Sequence, residues 1–524
     1  MNINASRLLT GFFLIFAPFL TVMASLFYPG SKVLFIIYGL LTTCMLVSIF
    51  IKQNGYFPLF FFSFLIIGCW LKTMFHFLFN TNFIEPVGLF SGLPEEWDVG
   101  LLILNVAFVS LLICYWISTV FTRKEKFVVQ SFNSSKYILA LLVFSFTAAM
   151  ALLFFNYQFS ILKIGTEPLI KLPSYLYSII AFMVAWGNAI LISALVYWLI
   201  KSERIKPCWM FYLLSVLGMF TSISMGSRVQ MILYTAAPFI LYFYKVSPLD
   251  KKFNKYEWRR IIIVTGLLFI GTLLSVFADR YKNFPHESNH RYQFCAQSLN
   301  EFDKLIVKRR SFPHSKLNEY NREYSYMKPK HAYNRLLLKY PFLAHSLNQL
   351  NKLIVDRWIG VEGVLAVSSA PRLGTKLFQI ALFEDPRRGN DAIYQKISGS
   401  FYKKYKNFVF MTIPGPIAFL YFSGSLLVVA LGMALLYFVG YFIESLANIL
   451  VKNEAVNAII GIALAYLFVQ LNFPITLYYF LIELIVFLVG LALLQKIITF
   501  SDIYLKIRGF SLKNNKNYRA ECSQ

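Results

Sequence analysis

Long apolar segments alternate with short polar connections along most of the chain. A membrane-spanning helix needs about 20 apolar residues, because the hydrocarbon core is about 30 Å thick and a helix rises about 1.5 Å per residue. Runs of this length predict twelve helices, near residues 8–28, 33–51, 57–79, 99–121, 137–156, 175–200, 209–225, 229–245, 260–278, 413–441, 455–472 and 475–496. The expected fold is an all-α polytopic membrane protein with about 12 transmembrane helices.

One long polar stretch, residues 279–410, interrupts this pattern and predicts a large loop. The predicted regions are a bundle of nine helices (residues 1–278), the large loop (279–410), a group of three helices (411–497) and a tail (498–524). Within the loop, Leu353 to Val367 and Leu373 to Phe383 are apolar enough to form short helices against the membrane or the bundle. A loop of this length with ordered parts is usually functional.

Composition supports the membrane assignment, because 58% of the residues are hydrophobic and only 14% are charged. Soluble proteins have about 25% charged residues. The net charge is +25, and residues 279–410 contain 23 Lys or Arg and 11 Asp or Glu. Membrane lipids with anionic head groups are the expected partners of the basic edges. No nucleic-acid recognition module is visible, so nucleic acid is not an expected partner.

The positions of Lys and Arg in short connections predict the orientation, because these residues favour the cytoplasmic side. Residues 122–136, 201–208 and 245–260 are basic, whereas residues 80–98 contain four acids and no Lys or Arg. The first three connections are therefore predicted to be cytoplasmic and residues 80–98 external. With twelve helices, both termini are then cytoplasmic and the large loop is external, since long loops do not follow the charge rule.

The sequence Gly226-Ser227-Arg228 forms a very short external connection between two predicted helices. Ser227 can cap the following helix, whose positive end favours an anion, and Arg228 adds a forked guanidinium at the same point. These residues predict a phosphate site. The alternative is an interfacial arginine that reaches the lipid head groups.

Further arginines lie at or within the large loop. A guanidinium pairs with two oxygens at once and stays charged, which suits a substrate with several phosphate oxygens. The alternative is that each arginine pairs with a neighbouring acid, such as Asp279, Asp356 or Asp385, and holds the loop together. With Arg228, the candidate diphosphate-binding residues are Arg280, Arg357, Arg372, Arg387 and Arg388.

Two carboxylates of the loop, Glu362 and Asp391, are available for proton transfer. A general base must reach its proton directly or through one water molecule. Trp358 and the loop tyrosines, Tyr394 among them, offer rings on which sugars can stack, although interfacial aromatic belts also explain such residues. No metal site is expected, because the cysteines are scattered and the local sequence around His286 and His290 favours a loop.

Three ionisable residues fall inside predicted spans, namely Lys72, His76 and Glu483. Such residues are functional candidates by default. All three are predicted in the outer half of the membrane, so a pair between Lys72 and Glu483 is geometrically possible. We expect this structural ion pair, and the alternative is the coupling site of a transporter.

Together these features resemble the O-antigen polymerases of the Wzy class, the oligosaccharide repeat unit polymerases. The similar features are the many-helix topology, one large external loop late in the chain, Gly226-Ser227-Arg228 and the external arginines. Arg388 is also followed, after ten residues, by Gly399, which matches an Arg-x10-Gly pattern of these enzymes.

The resemblance implies a glycosyltransferase without cofactor or metal, in the bacterial inner membrane, with its active site facing the periplasm. Its substrates would be undecaprenyl-diphosphate-linked glycans, and a chain-length regulator is a possible partner. The arginines would stabilise the departing diphosphate, and Glu362 or Asp391 would deprotonate the acceptor hydroxyl.

Two other functions are compatible with the sequence. An O-antigen ligase shares the external-loop architecture but attaches the glycan to a lipid A core. A transporter or flippase of lipid-linked or anionic substrates would use Lys72, His76 and Glu483, and the loop arginines would be dispensable. A metal-dependent lipid-linked glycosyltransferase is not favoured, because the first external connection, Tyr28 to Lys32, has no acid.

Overall fold

A computed structural model describes residues 3–52, 54–79, 83, 85–121, 135–164, 168–170, 172–244, 254–283, 358–386, 392–399 and 412–521 of the 524-residue chain. Only the backbone is described for residues 3–9, 135, 174, 244, 277, 279–283 and 501–521. Most of the large loop therefore lies outside the described residues, whereas its last part lies within them.

The described chain is helical throughout and contains no strand. The helices follow the predicted apolar runs, because a helix satisfies its own backbone hydrogen bonds in an apolar medium. They are α1 Ile3–Ser25, α2 Lys32–Ile51, α3 Tyr56–Phe79, α4 Pro94–Phe121, α5 Ser135–Phe159, α6 Tyr175–Lys201, α7 Cys208–Met225, α8 Val229–Tyr244, α9 Lys255–Asn283, α10 Val361–Ser368, α11 Thr375–Leu382, α12 Ile393–Ile397, α13 Pro416–Tyr421, α14 Leu426–Val451, α15 Glu454–Val469 and α16 Pro474–Glu521.

Nine of the described helices are long and apolar enough to cross a membrane. Three predicted spans coincide with shorter apolar helices, over Thr10–Ser25, Val229–Phe243 and Glu454–Val469. The prediction of an all-α polytopic membrane protein is confirmed. The count of twelve spans stays a prediction.

The predicted helix over residues 413–441 is wrong in its first part. Pro416 begins the short helix α13 after Gly415, but α13 ends at Tyr421. Gly424 then adopts φ +68°, a left-handed conformation that a helix does not continue through. The long helix α14 begins only at Leu426. Residues 412–425 are therefore a separate apolar element beside the bundle.

Connections that the sequence places outside the membrane meet at one end of the bundle, which we call the loop end. There the Tyr28 hydroxyl donates to Asp98 at 2.7 Å, and the Gly88 N–H donates to the Ser398 carbonyl at 2.9 Å. The last part of the large loop and the acidic connection of residues 80–98 are thus neighbours. This agrees with the prediction that both lie on the same side of the membrane.

The opposite end of the bundle contains the connections predicted to be cytoplasmic. Glu444 of α14 caps the start of α3, because its two carboxylate oxygens accept the N–H groups of Tyr56 and Phe57 at 2.6 and 2.8 Å. An acid at this position satisfies N–H groups that lack a partner within the helix and favours the positive helix end. The contact ties α3 to α14.

Helix α15 lies at the centre of the bundle and packs against α3, α6, α8 and α14. Small residues make the closest of these contacts possible: a Cβ added to Gly461 would lie 2.6 Å from the Cβ of Tyr56. Helices in lipid commonly associate through small residues that allow close packing, because burial of apolar surface gives no driving force for association there. Helix α3 is therefore fixed on several sides, and it presents its last turns to the loop end.

Candidate functional site

The main polar feature inside the bundle is an ion pair between Lys72 of α3 and Glu362 of α10. The Lys72 Nζ atom lies 2.7 Å from Glu362 Oε1 and 2.9 Å from Oε2. The two side chains are only 1% and 3% exposed. The same Nζ also donates to the backbone carbonyl of Trp358. Since an ammonium group has three protons, these contacts satisfy it completely, as a buried charge requires.

This pair corrects the expectation that Lys72 binds Glu483. Glu483 is half-buried on α16 and lies beside the hydroxyl of Ser178 instead. Apolar runs define the depth of a residue in the membrane but not the order of helices around the bundle. The partner of Lys72 therefore comes from the large loop, which re-enters the bundle at residues 358–368. We call these residues the return segment.

The return segment approaches α3 through two glycines. A Cβ added to Gly68 would lie 2.0 Å from the Ile359 carbonyl oxygen, and one added to Gly360 would lie 1.9 Å from the Gly68 carbonyl oxygen. Any side chain at either position would therefore separate the two backbones. Gly68 lies in a π-helical stretch of α3, Ile66–Leu71, directly before Lys72. Such stretches are frequent at functional sites.

A third glycine, Gly363, allows close contact on the other side of the return segment. A Cβ on Gly363 would lie 2.0 Å from the Pro414 carbonyl oxygen. The return segment is therefore held between α3 and the apolar element of residues 412–425. A small apolar cavity, lined in part by Cys69, Val364 and Pro414, remains at this junction.

The ring of Trp358 stacks on Phe64 of α3, with a centroid distance of 5.2 Å and an interplanar angle of 20°. Trp358 is half-buried, so part of its surface remains exposed. The predicted role of Trp358 in stacking on a sugar is compatible with this placement.

Two further contacts order the chain after the return segment. Glu384 accepts the Ile393 N–H at 2.8 Å. The Gln395 amide donates to the Thr412 carbonyl at 2.7 Å and accepts the Thr412 N–H at 3.1 Å. The contact between Glu384 and Ile393 bridges residues 387–391, and the contacts between Gln395 and Thr412 bridge residues 400–411. Both of these stretches lie outside the described residues.

Tyr394 is buried, with 1% of its surface exposed. Burial raises the pKa of the Tyr394 hydroxyl well above its usual range, and the nearby carboxylates of Glu362 and Glu85 add to this. The residue stays protonated, and its ring is covered by protein. A stacking surface must be open to the sugar, so we do not retain Tyr394 as a glycan-stacking residue.

A short turn between α7 and α8 carries Arg228. Gly226 ends α7 in the left-handed conformation, at φ +64°, and Arg228 is half-buried just before α8. The Ser222 hydroxyl accepts the Met231 N–H at 2.8 Å, so the cap on α8 comes from α7 and not from Ser227 as predicted. The start of α8 nevertheless lies beside Arg228.

Lys163 lies beside the same junction, because a Cβ on Gly226 would be 3.6 Å from its Cγ and Cε atoms. The turn that presents Lys163 is fixed by Asn156, whose amide donates to the Ser224 hydroxyl at 2.6 Å and accepts the Leu162 N–H at 2.7 Å. Lys163 at this junction was not predicted, because the two turns are far apart in the sequence. Its ammonium group lies over the Tyr157 ring, 5.3 Å from the ring centroid.

The remaining predicted site residues are placed as follows. Arg372 is exposed at the loop end, between α10 and α11. Arg280 lies in the last turns of α9, where only the backbone is described. Four predicted residues lie outside the described residues, namely Arg357, Arg387, Arg388 and Asp391. Their roles stay predictions.

Sequence reasoning selected Lys72, Glu362 and Trp358 separately but did not connect them. The intramembrane charge of Lys72 is the strongest signal of this site in the sequence. The glycines at positions 68 and 360 are a second and weaker signal of the contact. No cluster of three or more His, Cys, Asp or Glu occurs in the described part of the chain. His286 and His290 lie outside that part.

Comparisons with protein-family models, with curated proteins and with solved structures found no match to this chain. Its function has to follow from the chemistry of the site.

Proposed function

We propose that the protein is a membrane-embedded glycosyltransferase that joins lipid-linked oligosaccharide repeat units into a polysaccharide, as O-antigen polymerases do. The return segment is the observation that supports this most directly. Part of a large basic loop is seated inside an apolar bundle and held by the buried pair of Lys72 and Glu362. In this proposal the pair anchors the loop so that its basic residues can reach the diphosphate of a lipid-linked glycan.

The reaction needs little from the protein beyond charge stabilisation and one proton acceptor. A hydroxyl at the non-reducing end of the acceptor repeat unit attacks the anomeric carbon of the donor glycan. A new glycosidic bond forms, the bond from that carbon to the diphosphate oxygen breaks, and the diphosphate leaves with the electron pair. The hydroxyl proton passes to a carboxylate. Fixed positive groups that face the developing charge on the diphosphate lower the barrier.

The arginines supply those fixed groups in this proposal. Arg228 lies at the positive end of α8, and the guanidinium and the helix end both favour negative charge at this point. A guanidinium suits diphosphate because it can bind two oxygens at once. The arginines proposed to share the diphosphate with Arg228 are Arg280, Arg357, Arg372, Arg387 and Arg388.

The two predicted bases, Glu362 and Asp391, have different roles in this proposal. Glu362 is buried, and Lys72 occupies both of its oxygens. A base must reach its proton directly or through one water molecule, so we assign Glu362 to the ion pair. Asp391 is the proposed proton acceptor, and Trp358 is the proposed stacking surface for a sugar.

In the proposed setting the protein lies in a bacterial inner membrane, with both termini cytoplasmic and the loop end facing the periplasm. The substrates are glycans on undecaprenyl diphosphate, and neither a metal nor a cofactor takes part. A chain-length regulator in the same membrane is a proposed partner.

Arg228→Ala is expected to reduce polymer formation about 100-fold, since loss of one transition-state donor typically has an effect of this size. The variant is expressed in cells that lack the wild-type gene, and surface polysaccharide is separated by length on a gel. Arg260→Ala is the matched control, because Arg260 is exposed near the start of α9, at the end predicted to be cytoplasmic. Unchanged polymer length and yield with Arg228→Ala, at normal protein level, would show that Arg228 does not act on the substrate.

The same cells separate the proposed polymerase from a ligase. Deletion of a polymerase removes the long polymers themselves. Deletion of a ligase leaves long polymers that are attached only to their lipid carrier.

A further inference from the structure

We infer that Lys72 is a positioning residue for this site, which rests on the proposed function. Lys72 lies inside the bundle and is 1% exposed, so it cannot touch a substrate. Its ammonium group nevertheless holds two atoms of the return segment that are four residues apart, the Trp358 carbonyl and the Glu362 carboxylate. In this way Lys72 fixes both ends of the turn that brings the large loop into the bundle.

The contact with the Trp358 carbonyl is the specific part of this inference. A carbonyl at the end of a loop needs a donor once it is buried. Lys72 supplies that donor from α3, and Phe64 supports the Trp358 ring from the same helix. The backbone and the ring of Trp358 are therefore both held by α3. A stacking residue needs such support, because a small displacement of the ring lowers its contact with a sugar.

The glycine contacts make the arrangement sensitive to Lys72. Gly68 and Gly360 allow the two backbones to touch, but they provide no side chains that could hold the return segment in place. The polar contacts of Lys72 therefore hold the start of the return segment against α3, whereas the apolar residues of α10 pack against α4 and α13. Without them, we expect the return segment to move away from α3 while the remaining bundle stays folded.

A native cysteine reports on this seating. Cys69 is 1% exposed and lines the small cavity together with Ile359, Gly360 and Val364 of the return segment. If the segment leaves its place, the Cys69 thiol becomes accessible. The reporter protein keeps Cys69 and has serine at the other five cysteine positions, which are Cys44, Cys114, Cys208, Cys295 and Cys522.

The test measures the rate at which N-ethylmaleimide labels Cys69 in membranes. Lys72→Met is expected to raise this rate at least tenfold. Lys52→Met is the matched control, because Lys52 binds Thr119 at the opposite end of the bundle, and its labelling rate should equal that of the parent protein. The double variant Lys72→Met with Glu362→Leu covers the case in which the single variant fails to fold, since it leaves no unpaired charge.

The double variant also separates positioning from simple stabilisation. If Lys72 only balances the charge of Glu362, the double variant should protect Cys69 as the parent does, and this result would overturn the inference. If Lys72 holds Trp358, the double variant should label at least tenfold faster, because methionine cannot donate to the carbonyl.

Polymer formation by the same variants gives a second readout. The expected result for the double variant is a kcat at least tenfold lower with a nearly unchanged KM for the lipid-linked repeat unit. Fast labelling with normal polymerisation would also overturn the inference. If the parent protein itself forms no polymer, the proposed function fails, whereas the labelling rates still decide whether Lys72 holds the return segment.

Discussion

Glu362→Ala is expected to destabilise the protein by about 3–5 kcal/mol, because it leaves the buried charge of Lys72 without a counter-charge. The penalty arises from the remaining ammonium group, which would keep its contact with the Trp358 carbonyl but lose the carboxylate. The double variant Lys72→Met with Glu362→Leu removes both charges, so it should be more stable than the single variant even though it changes more residues.

The measurement is thermal unfolding of the purified protein in one detergent, with the parent protein and both variants side by side. Glu483→Ala is the control, because Glu483 is another glutamate on a helix of the bundle but is only half-buried. Its effect should stay within about 1 kcal/mol. If Glu362→Ala and Glu483→Ala lowered the melting temperature equally, the burial of the Lys72 pair would be contradicted.

Gly68→Ala is expected to destabilise the seated return segment by about 3 kcal/mol, the upper part of the usual range for overpacking. The added Cβ would lie 2.0 Å from the Ile359 carbonyl oxygen, far inside van der Waals contact. The atom in the way belongs to the backbone and cannot rotate aside. The return segment must shift, and Lys72 must then release Trp358 or Glu362.

Gly490→Ala is the matched control for this substitution. Gly490 lies in α16, and a Cβ at this position would meet nothing within 4 Å. Alanine favours a helix over glycine by about 1 kcal/mol, so this variant should be neutral or slightly stabilised. Thermal unfolding and labelling of Cys69 are the readouts. Equal behaviour of the two variants would argue against direct contact between α3 and the return segment.

The sequence predicts most helices of this protein well, because a membrane span needs a long apolar run and such runs are easily recognised. The prediction is wrong where an apolar run does not form one continuous helix. Residues 413–441 are apolar throughout, yet the helix breaks near Gly424, whose φ is +68°. Hydropathy alone does not separate a spanning helix from a short helix packed beside the bundle.

Single residues of the site were predictable from the sequence, but the contacts between them were not. Lys72 and Glu362 were each selected for their charge, one as an intramembrane residue and the other as a loop carboxylate. Their contact joins positions that are 290 residues apart, and no local pattern encodes such a pairing. The burial of Tyr394 likewise depends on contacts that the local sequence does not show, because its short helix α12 lies in a polar loop but is covered by neighbouring chain.

The large loop returns to the bundle at an apolar segment that contains two glycines and one buried glutamate. Glycines let the chain approach α3, and the ion pair then replaces the water lost by Lys72 and Glu362. We propose that this anchoring keeps the diphosphate-binding arginines at the membrane edge during catalysis.

Incubation of the purified protein in lipid nanodiscs with lipid-linked repeat units tests the central claim most directly. The repeat units are isolated from the source cells, and the products are analysed for chain length and for released undecaprenyl diphosphate. We predict a ladder of glycans in which each added unit releases one undecaprenyl diphosphate, and this ladder should be absent with Arg228→Ala. Repeat units that remain unchanged, or that cross a sealed membrane without forming a new glycosidic bond, would contradict the account.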